Sequence, residues 1–297
     1  MAKINTIDLH FKGLEHAIAS YLIETSDGPV LIETGPHSTY PALVSAIQSH
    51  GYHLEDIRHV LLTHIHLDHA GAAWAFAEQR AQIYLHPFGA RNMADPSRLM
   101  ASARQIYQEQ MDSLWGQMKP IPETQLTQVE HQQTVTIGGV NFVSLHTPGH
   151  AKHHIAWQIE DSICTGDVAG VKIGGGPVQP PCPPPDIHIE DWLDSIALLR
   201  QRKAKRLYLT HYDYVENIDE HLDQLSTMLE SWSSFVYEHW KDGLSNEAII
   251  PLFQSFTTDQ LRASGLNNIQ IAQYEAANPS WMSVAGLVRY WTKKTQP

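Results

Sequence analysis

Thr63-His64-Ile65-His66-Leu67-Asp68-His69 places three imidazoles and a carboxylate within six positions, directly after the apolar run Val60-Leu61-Leu62. In an extended segment successive side chains alternate sides, so His64 and His66 point the same way and can share one metal ion. Asp68 and His69 fall where the chain passes into the helical pattern of residues 70–80, which aims them differently. That change of direction leaves room for a second ion beside the first.

Three further fragments complete a ligand set. His146-Thr147-Pro148-Gly149-His150 follows the apolar strand pattern of residues 140–145, Thr165-Gly166-Asp167 follows Ile163-Cys164, and Thr210-His211 follows Arg206-Leu207-Tyr208-Leu209. Each polar group sits just past a short strand, where a rigid sheet fixes a loop that is free to carry chemistry. His64, His66, Asp68, His69, His150, Asp167 and His211 together offer five imidazoles and two carboxylates. That is enough for two ions that keep positions open for water and substrate. Most of the other histidines, His86 and His146 among them, are read as packed or solvated. His153 and His154 are expected to order the loop before residues 155–159.

With these motifs in this order, residues 1–215 resemble the metallo-β-lactamase-fold hydrolases, and within them the glyoxalase II-like branch. The resemblance implies a four-layer αββα sandwich with the metals at one sheet edge, where composition and pattern alone give only a mixed α/β class. It also implies that His64, His66 and His150 hold the first metal, that Asp68, His69 and His211 hold the second, and that Asp167 bridges them. Zinc is the expected ion, with iron or manganese as alternatives. One motif departs from the family, which usually has Asp-Thr-Gly near the start where this chain has Glu33-Thr34-Gly35. The family's aspartate supports ligands without binding metal, so the longer Glu33 bears on ligand positioning and not on ligand identity.

The composition limits the partners. A formal charge of −12 on 297 residues repels nucleic acid, and the basic residues Arg200, Arg202, Lys203, Lys205 and Arg206 read as cations complementing a helix C-terminus. Two cysteines are too few for a disulfide scaffold, the start lacks a signal-peptide pattern, and no window has the length of a membrane span. A cytoplasmic protein acting on a small molecule, with no nucleic-acid or membrane partner, is the expectation.

Along the chain, residues 21–23 and 30–32 flank the turn Ser26-Asp27-Gly28-Pro29 and read as a hairpin. A helix is expected over residues 40–50, and strands over 57–62 and 83–85. A second hairpin is expected from 134–137 and 140–145 around Gly138-Gly139. Residues 87–122 read as a helical lid carrying Met93, Met100, Met111, Trp115 and Met118, adaptable side chains that either line a pocket or pack the lid down. The proline run from Pro180 to Pro185 reads as a stiff wall beside the metal cleft. From residue 216 to 297 the pattern is helical, with Asn278-Pro279 as N-cap and first helical position of the last helix. Its aromatics are expected to cover the catalytic domain or a second subunit, which leaves a homodimer open.

For function, the resemblance implies a hydrolase in which a metal-bridging hydroxide attacks the carbonyl of a thioester, lactone or related ester, with Asp68 and Asp167 as the catalytic carboxylates. The competing reading is a persulfide dioxygenase with a single iron held by His64, His150 and Asp167, since two histidines and a carboxylate also suit non-haem iron. A metal-bearing scaffold without catalysis is a third.

Overall fold

Strands that are apolar on both faces must be covered on both sides, and the chain meets this demand with two sheets packed face to face and helices on the outside. The computed structural model describes residues 2–296. The first sheet sets β1 (Ile4–Asp8), β2 (Ala19–Ile23), β3 (Val30–Ile32), β4 (His59–Leu61), β5 (Gln82–Leu85) and β6 (Leu126–Gln128) side by side in chain order. The second does the same with β7 (Thr134–Ile137), β8 (Val140–His146), β9 (Ile155–Ile159), β10 (Ser162–Gly166), β11 (Arg206–Leu209) and β12 (Tyr214–Val215). Both sheets are mixed: β3 to β6 run parallel to one another, as do β10 and β11, and the remaining pairs are antiparallel.

The side-chain alternation of each strand divides the core. Tyr21, Ile23, Ile32, Leu61 and Tyr84 of the first sheet meet Phe142, Trp157, Ile159, Cys164 and Tyr208 of the second. Their neighbours Leu22, Leu31, Val60 and Ile83 face outward, against helices α1 (Tyr40–Ser49), α2 (Leu67–Ala70), α3 (Ala73–Glu78), α4 (Pro87–Ala94), α5 (Ser97–Tyr107) and α6 (Met111–Leu114). On the far side, Leu145, Ala156, Ile163 and Leu207 pack under α7 (Ile189–Gln201) and under α8 (Ile218–Lys241), α9 (Asn246–Ala263) and α11 (Ser280–Thr295). With α10 (Asn268–Ala277), the last three form a C-terminal helical extension. The four layers are those the sequence resemblance implied. The sheets are also stitched by a polar bond, Trp157 Nε1 donating to the Leu62 carbonyl at 3.0 Å.

Three local expectations need correction. The strand before the histidine run ends at Leu61, one residue early, so His64 and His66 lie in a loop and converge by its curvature, not by strand alternation. Helix begins at Leu67, putting Asp68 and His69 in a first turn tied back to the His66 carbonyl by the His69 and Ala70 amides. The last helix starts at Ser280 with Pro279 at its N-cap. Asn278 is withdrawn from capping because its side chain bonds the Pro180 carbonyl and accepts from the Ser283 hydroxyl, and the Glu275 carboxyl takes the Ser280 amide instead. Among the described residues, no helix is long and apolar enough to cross a membrane.

Candidate metal centre

Four strands end at one edge of the sandwich, and the loops after β4, β8, β10 and β11 bring the seven ligand candidates together. In one group, His66 Nδ1 lies 2.9 Å from His64 Nε2 and 3.0 Å from His150 Nε2, and Asp167 Oδ2 lies 3.2 Å from His150 Nε2. In the other, Asp167 Oδ1 is 3.2 Å from His69 Nε2 and 3.3 Å from His211 Nε2. Asp68 Oδ2 stands 3.6 and 3.5 Å from those same two nitrogens. Four ligand atoms arranged tetrahedrally at zinc's bond lengths of about 2.0–2.1 Å are about 3.3–3.4 Å apart. The second group matches this spacing, and the first is slightly tighter.

The non-coordinating nitrogens explain why these lone pairs converge. His150 Nδ1 donates to the Pro181 carbonyl at 2.9 Å and His211 Nδ1 to the Ala17 carbonyl at 2.7 Å, so in each ring, once neutral, Nε2 is the nitrogen whose lone pair is directed inward. His64 Nδ1 contacts the Thr63 hydroxyl at 3.0 Å, and that hydroxyl donates in turn to Glu33 Oε1. The hydroxyl proton is thereby committed, and His64 must be the donor to Thr63. Such partners hold a ligand's tautomer and ring angle. Glu33 Oε1 also sits 3.2 Å from His69 Nδ1, so one fully buried carboxyl stands behind a ligand of each group. Glu33 itself adopts a left-handed backbone (φ 64°) at the end of β3, uncommon for a residue other than glycine. His154 Nε2 accepts the Asp167 amide and its Nδ1 reaches the Thr147 hydroxyl at 2.8 Å, so it orders the ligand loop as the sequence suggested.

Two glycines make the close approach possible. A Cβ on Gly149, whose φ is +122°, would fall 2.3 Å from the Trp192 Cα, and one on Gly166 would fall 2.4 Å from the Thr63 hydroxyl and 2.7 Å from His154 Nε2.

The electrostatics differ between the groups. Burial, reinforced by neighbouring imidazoles, lowers the pKa of His64 and His66 well below the ordinary range, leaving neutral rings suited to binding a cation. For His69 and His211, burial acts in the same direction, but Asp167 and Asp68 outweigh it; His69 rises well above its usual value and His211 to about 9. The carboxyl of Asp68, which burial alone would raise, is held down at about 2 by His69 and His211. His69 Nε2, His211 Nε2 and Asp167 Oδ1 are buried without hydrogen-bond partners. Orphaned polar atoms of this kind, converging from three segments of chain, fit a pair of bound cations.

A cavity of about 460 Å³ opens from His66, Asp68 and Asp167. Pro181 and Pro183 to Pro185 form one wall, as the stiff segment suggested. Residues 87–122 contribute Leu99, Tyr107 and Trp115, whereas Met93, Met111 and Met118 are buried in the core outside the first sheet, so the methionines of this segment serve packing. Sequence reasoning missed Thr63 as a ligand support, along with Phe11, Tyr107 and the pocket-facing role of Trp281. Phe11 follows a strand whose pattern went unrecognised, and nothing in an amphipathic helix marks which aromatic escapes the core. Cys164 and Cys182 are both buried. Arg200 pairs with Asp219 and Asp223, Lys205 with Asp161 and Arg206 with Glu216, so much of the basic run is neutralised within the fold.

The family model for the metallo-beta-lactamase superfamily matches residues 14–211. ST1585 of Sulfurisphaera tokodaii, a metallo-beta-lactamase fold-containing protein, is 26% identical over 178 residues, covering 58% of this chain and 67% of its own. The ST1585 crystal structure superposes with a TM-score of 0.65 at 23% identity, over 75% of this chain and 86% of that one. An atrochrysone carboxyl ACP thioesterase of Aspergillus fumigatus is 25% identical over 207 residues, 69% of this chain but only 39% of that protein. An N-acyl homoserine lactonase of a Bacillus species is 25% identical over 170 residues, 50% of this chain and 60% of the lactonase. Both sheets and all the ligand loops fall in or beside the matched span, and the chain belongs to the metallo-beta-lactamase superfamily.

Proposed function

We propose that this protein hydrolyses a thioester, lactone or related carboxylic ester of a small molecule, in the manner of the glyoxalase II-like branch, with two divalent metal ions, zinc foremost. Residues 1–215 carry the reaction, with 87–122 as its lid and 216–297 as an extension. His64, His66 and His150 would hold one ion, and Asp68, His69 and His211 the other. The observation that carries the reading is Asp167, whose Oδ2 faces His150 while its Oδ1 faces His69 and His211. A single carboxylate with one oxygen toward each group is what a bridge between two ions requires. The distant thioesterase and lactonase relatives support acyl transfer to water.

Bound there, the metals would bring the pKa of a water to about 7 and polarise the substrate carbonyl. The protein's own residues do the rest. Asp167 sets the distance between the two groups, and Glu33 and Thr63 hold His64 and His69 in place. Asp68 lies on the cavity wall, where its carboxylate orients the attacking water. Water oxygen bonds to the acyl carbon, the bond from that carbon to sulfur or oxygen breaks, and a water proton ends on the departing thiol or hydroxyl. A complete second group, Asp68 with His69 and His211, favours two ions over the single iron of a dioxygenase.

A thioester and lactone panel tests the reading. Turnover should follow metal occupancy, vanish on chelation and return with zinc. One iron per chain, with oxygen consumed on a persulfide and no ester turnover, would overturn it.

A further inference from the structure

We propose that the cavity beside the ligands is shaped for an apolar, ring-bearing acyl group, selected where the lid meets the C-terminal helices, with Tyr107, Trp115 and Trp281 as its specificity residues. That the bound group is an acyl group rests on the hydrolytic reading above; the apolar, aromatic character of the site does not. At about 460 Å³ the space falls within the usual range of small-molecule pockets, and it begins at the ligands themselves.

A run of rings lines it, drawn from three separate parts of the chain. Phe11 stacks on Trp115 at 5.5 Å with planes 27° apart, Trp115 meets Tyr107 edge-on at 5.1 Å, and Tyr107 meets Trp281 at 5.8 Å. The Tyr107 hydroxyl donates to the Met282 sulfur at 3.1 Å, latching α5 of the lid to the start of α11. Aromatic walls favour a ring over a flexible chain, because offset and edge-to-face contacts add to area burial and a rigid ring loses less entropy.

Away from the ligands Asp68 and Asp167, the polar groups on the wall disfavour a charged group. Glu275 could attract a cation, but one of its oxygens accepts the Ser280 amide at 3.1 Å and the other the Ser280 hydroxyl at 2.7 Å, so the carboxyl is engaged as a helix cap. For an anion, Lys12 is the one Lys or Arg among the described lining residues, too little to recognise a multiply charged thiol carrier inside the cavity. The prolines opposite have no N–H to offer. A neutral apolar group remains.

The test uses the metal-loaded full chain and thioesters of one small thiol bearing acetyl, dodecanoyl or 2-naphthylacetyl groups, the last two equal in carbon count. The kcat/KM should be highest for naphthylacetyl, about tenfold above dodecanoyl, the equivalent of one or two aromatic contacts. Trp281→Ala should abolish that preference and Trp281→Phe should restore part of it. Calorimetric binding of 2-naphthylacetate should weaken in parallel, a readout independent of turnover. Equal kcat/KM for acetyl and naphthylacetyl substrates, with no binding of the acid, would overturn the pocket assignment while leaving hydrolysis intact. Tight, Trp281-dependent binding of the acid without turnover of any thioester would uphold the pocket and overturn the hydrolytic reading.

Discussion

Thr63 is the residue on which positioning of both ligand groups converges, and Thr63→Val removes its hydroxyl while keeping its shape. In the protein that hydroxyl donates to Glu33 and accepts from His64 Nδ1, both fully buried, and Glu33 in turn stands behind His69. The valine would leave Glu33 with the long 3.3 Å bond from the Thr63 amide and its 3.2 Å contact with His69 Nδ1, and His64 Nδ1 with no acceptor. Each buried group stripped of its partner costs about 1–3 kcal/mol, so a loss of about 2–4 kcal/mol in unfolding free energy is expected. Urea unfolding of the metal-free protein should show this as a lower midpoint with an unchanged slope. Metal affinity, measured by competition with a chromophoric chelator, should fall about 10–100-fold, as for other residues that orient a ligand. Thr63→Ser, which keeps the hydroxyl, should recover most of both. If the valine variant bound metal as tightly as the parent, or serine were no better than valine, the relay from Glu33 through Thr63 to His64 would be wrong.

His66→Ala should lower metal content from two ions toward one per chain and abolish turnover; activity persisting at full occupancy would remove His66 from the first group. In the metal-free protein His69 and His211 are both raised above their ordinary values, His211 to about 9. Zinc added at pH 7.5 should therefore displace two protons per chain from the rings, one from each, in addition to the proton lost by a metal-bound water of pKa about 7, readable in weakly buffered solution. The same two residues stabilise the metal-free fold fully below their unfolded pKa of about 6.5, a contribution lost as pH rises through their raised folded values, about 9 for His211. Its Tm should decline over that window, and a flat profile with no proton release would contradict the pairing with Asp68 and Asp167. Gly149→Ala would drive a methyl into the Trp192 backbone, and a loss of about 2–4 kcal/mol together with the first-group ion is expected.

Much of this was legible in the residues because the ligands lie immediately after strands with clear apolar patterns. Strands 155–159 and 206–209 fall where their patterns put them, and the histidine run announces a metal site before any fold is known. What the pattern could not supply was curvature. The loop from Leu62 to His66 is shaped by tertiary bonds, with the Thr63 carbonyl accepting the Ile155 amide and the Leu62 amide donating to the Tyr84 carbonyl. These partners are distant in sequence. The short edge strands Ile4–Asp8 and Tyr214–Val215 were invisible for a related reason, since pairing with one neighbour rather than hydrophobic alternation defines them. Residues 87–114 are largely helical, yet which of their side chains face the cavity depends on how α5 leans against α11.

The most direct test is the metal content and position in protein purified and then loaded with zinc, read by elemental analysis and by anomalous scattering from a crystal. Two ions per chain are expected, one among His64, His66 and His150 and one among Asp68, His69 and His211, with an Asp167 oxygen toward each. A single ion, or two ions that do not share Asp167, would contradict the dinuclear centre.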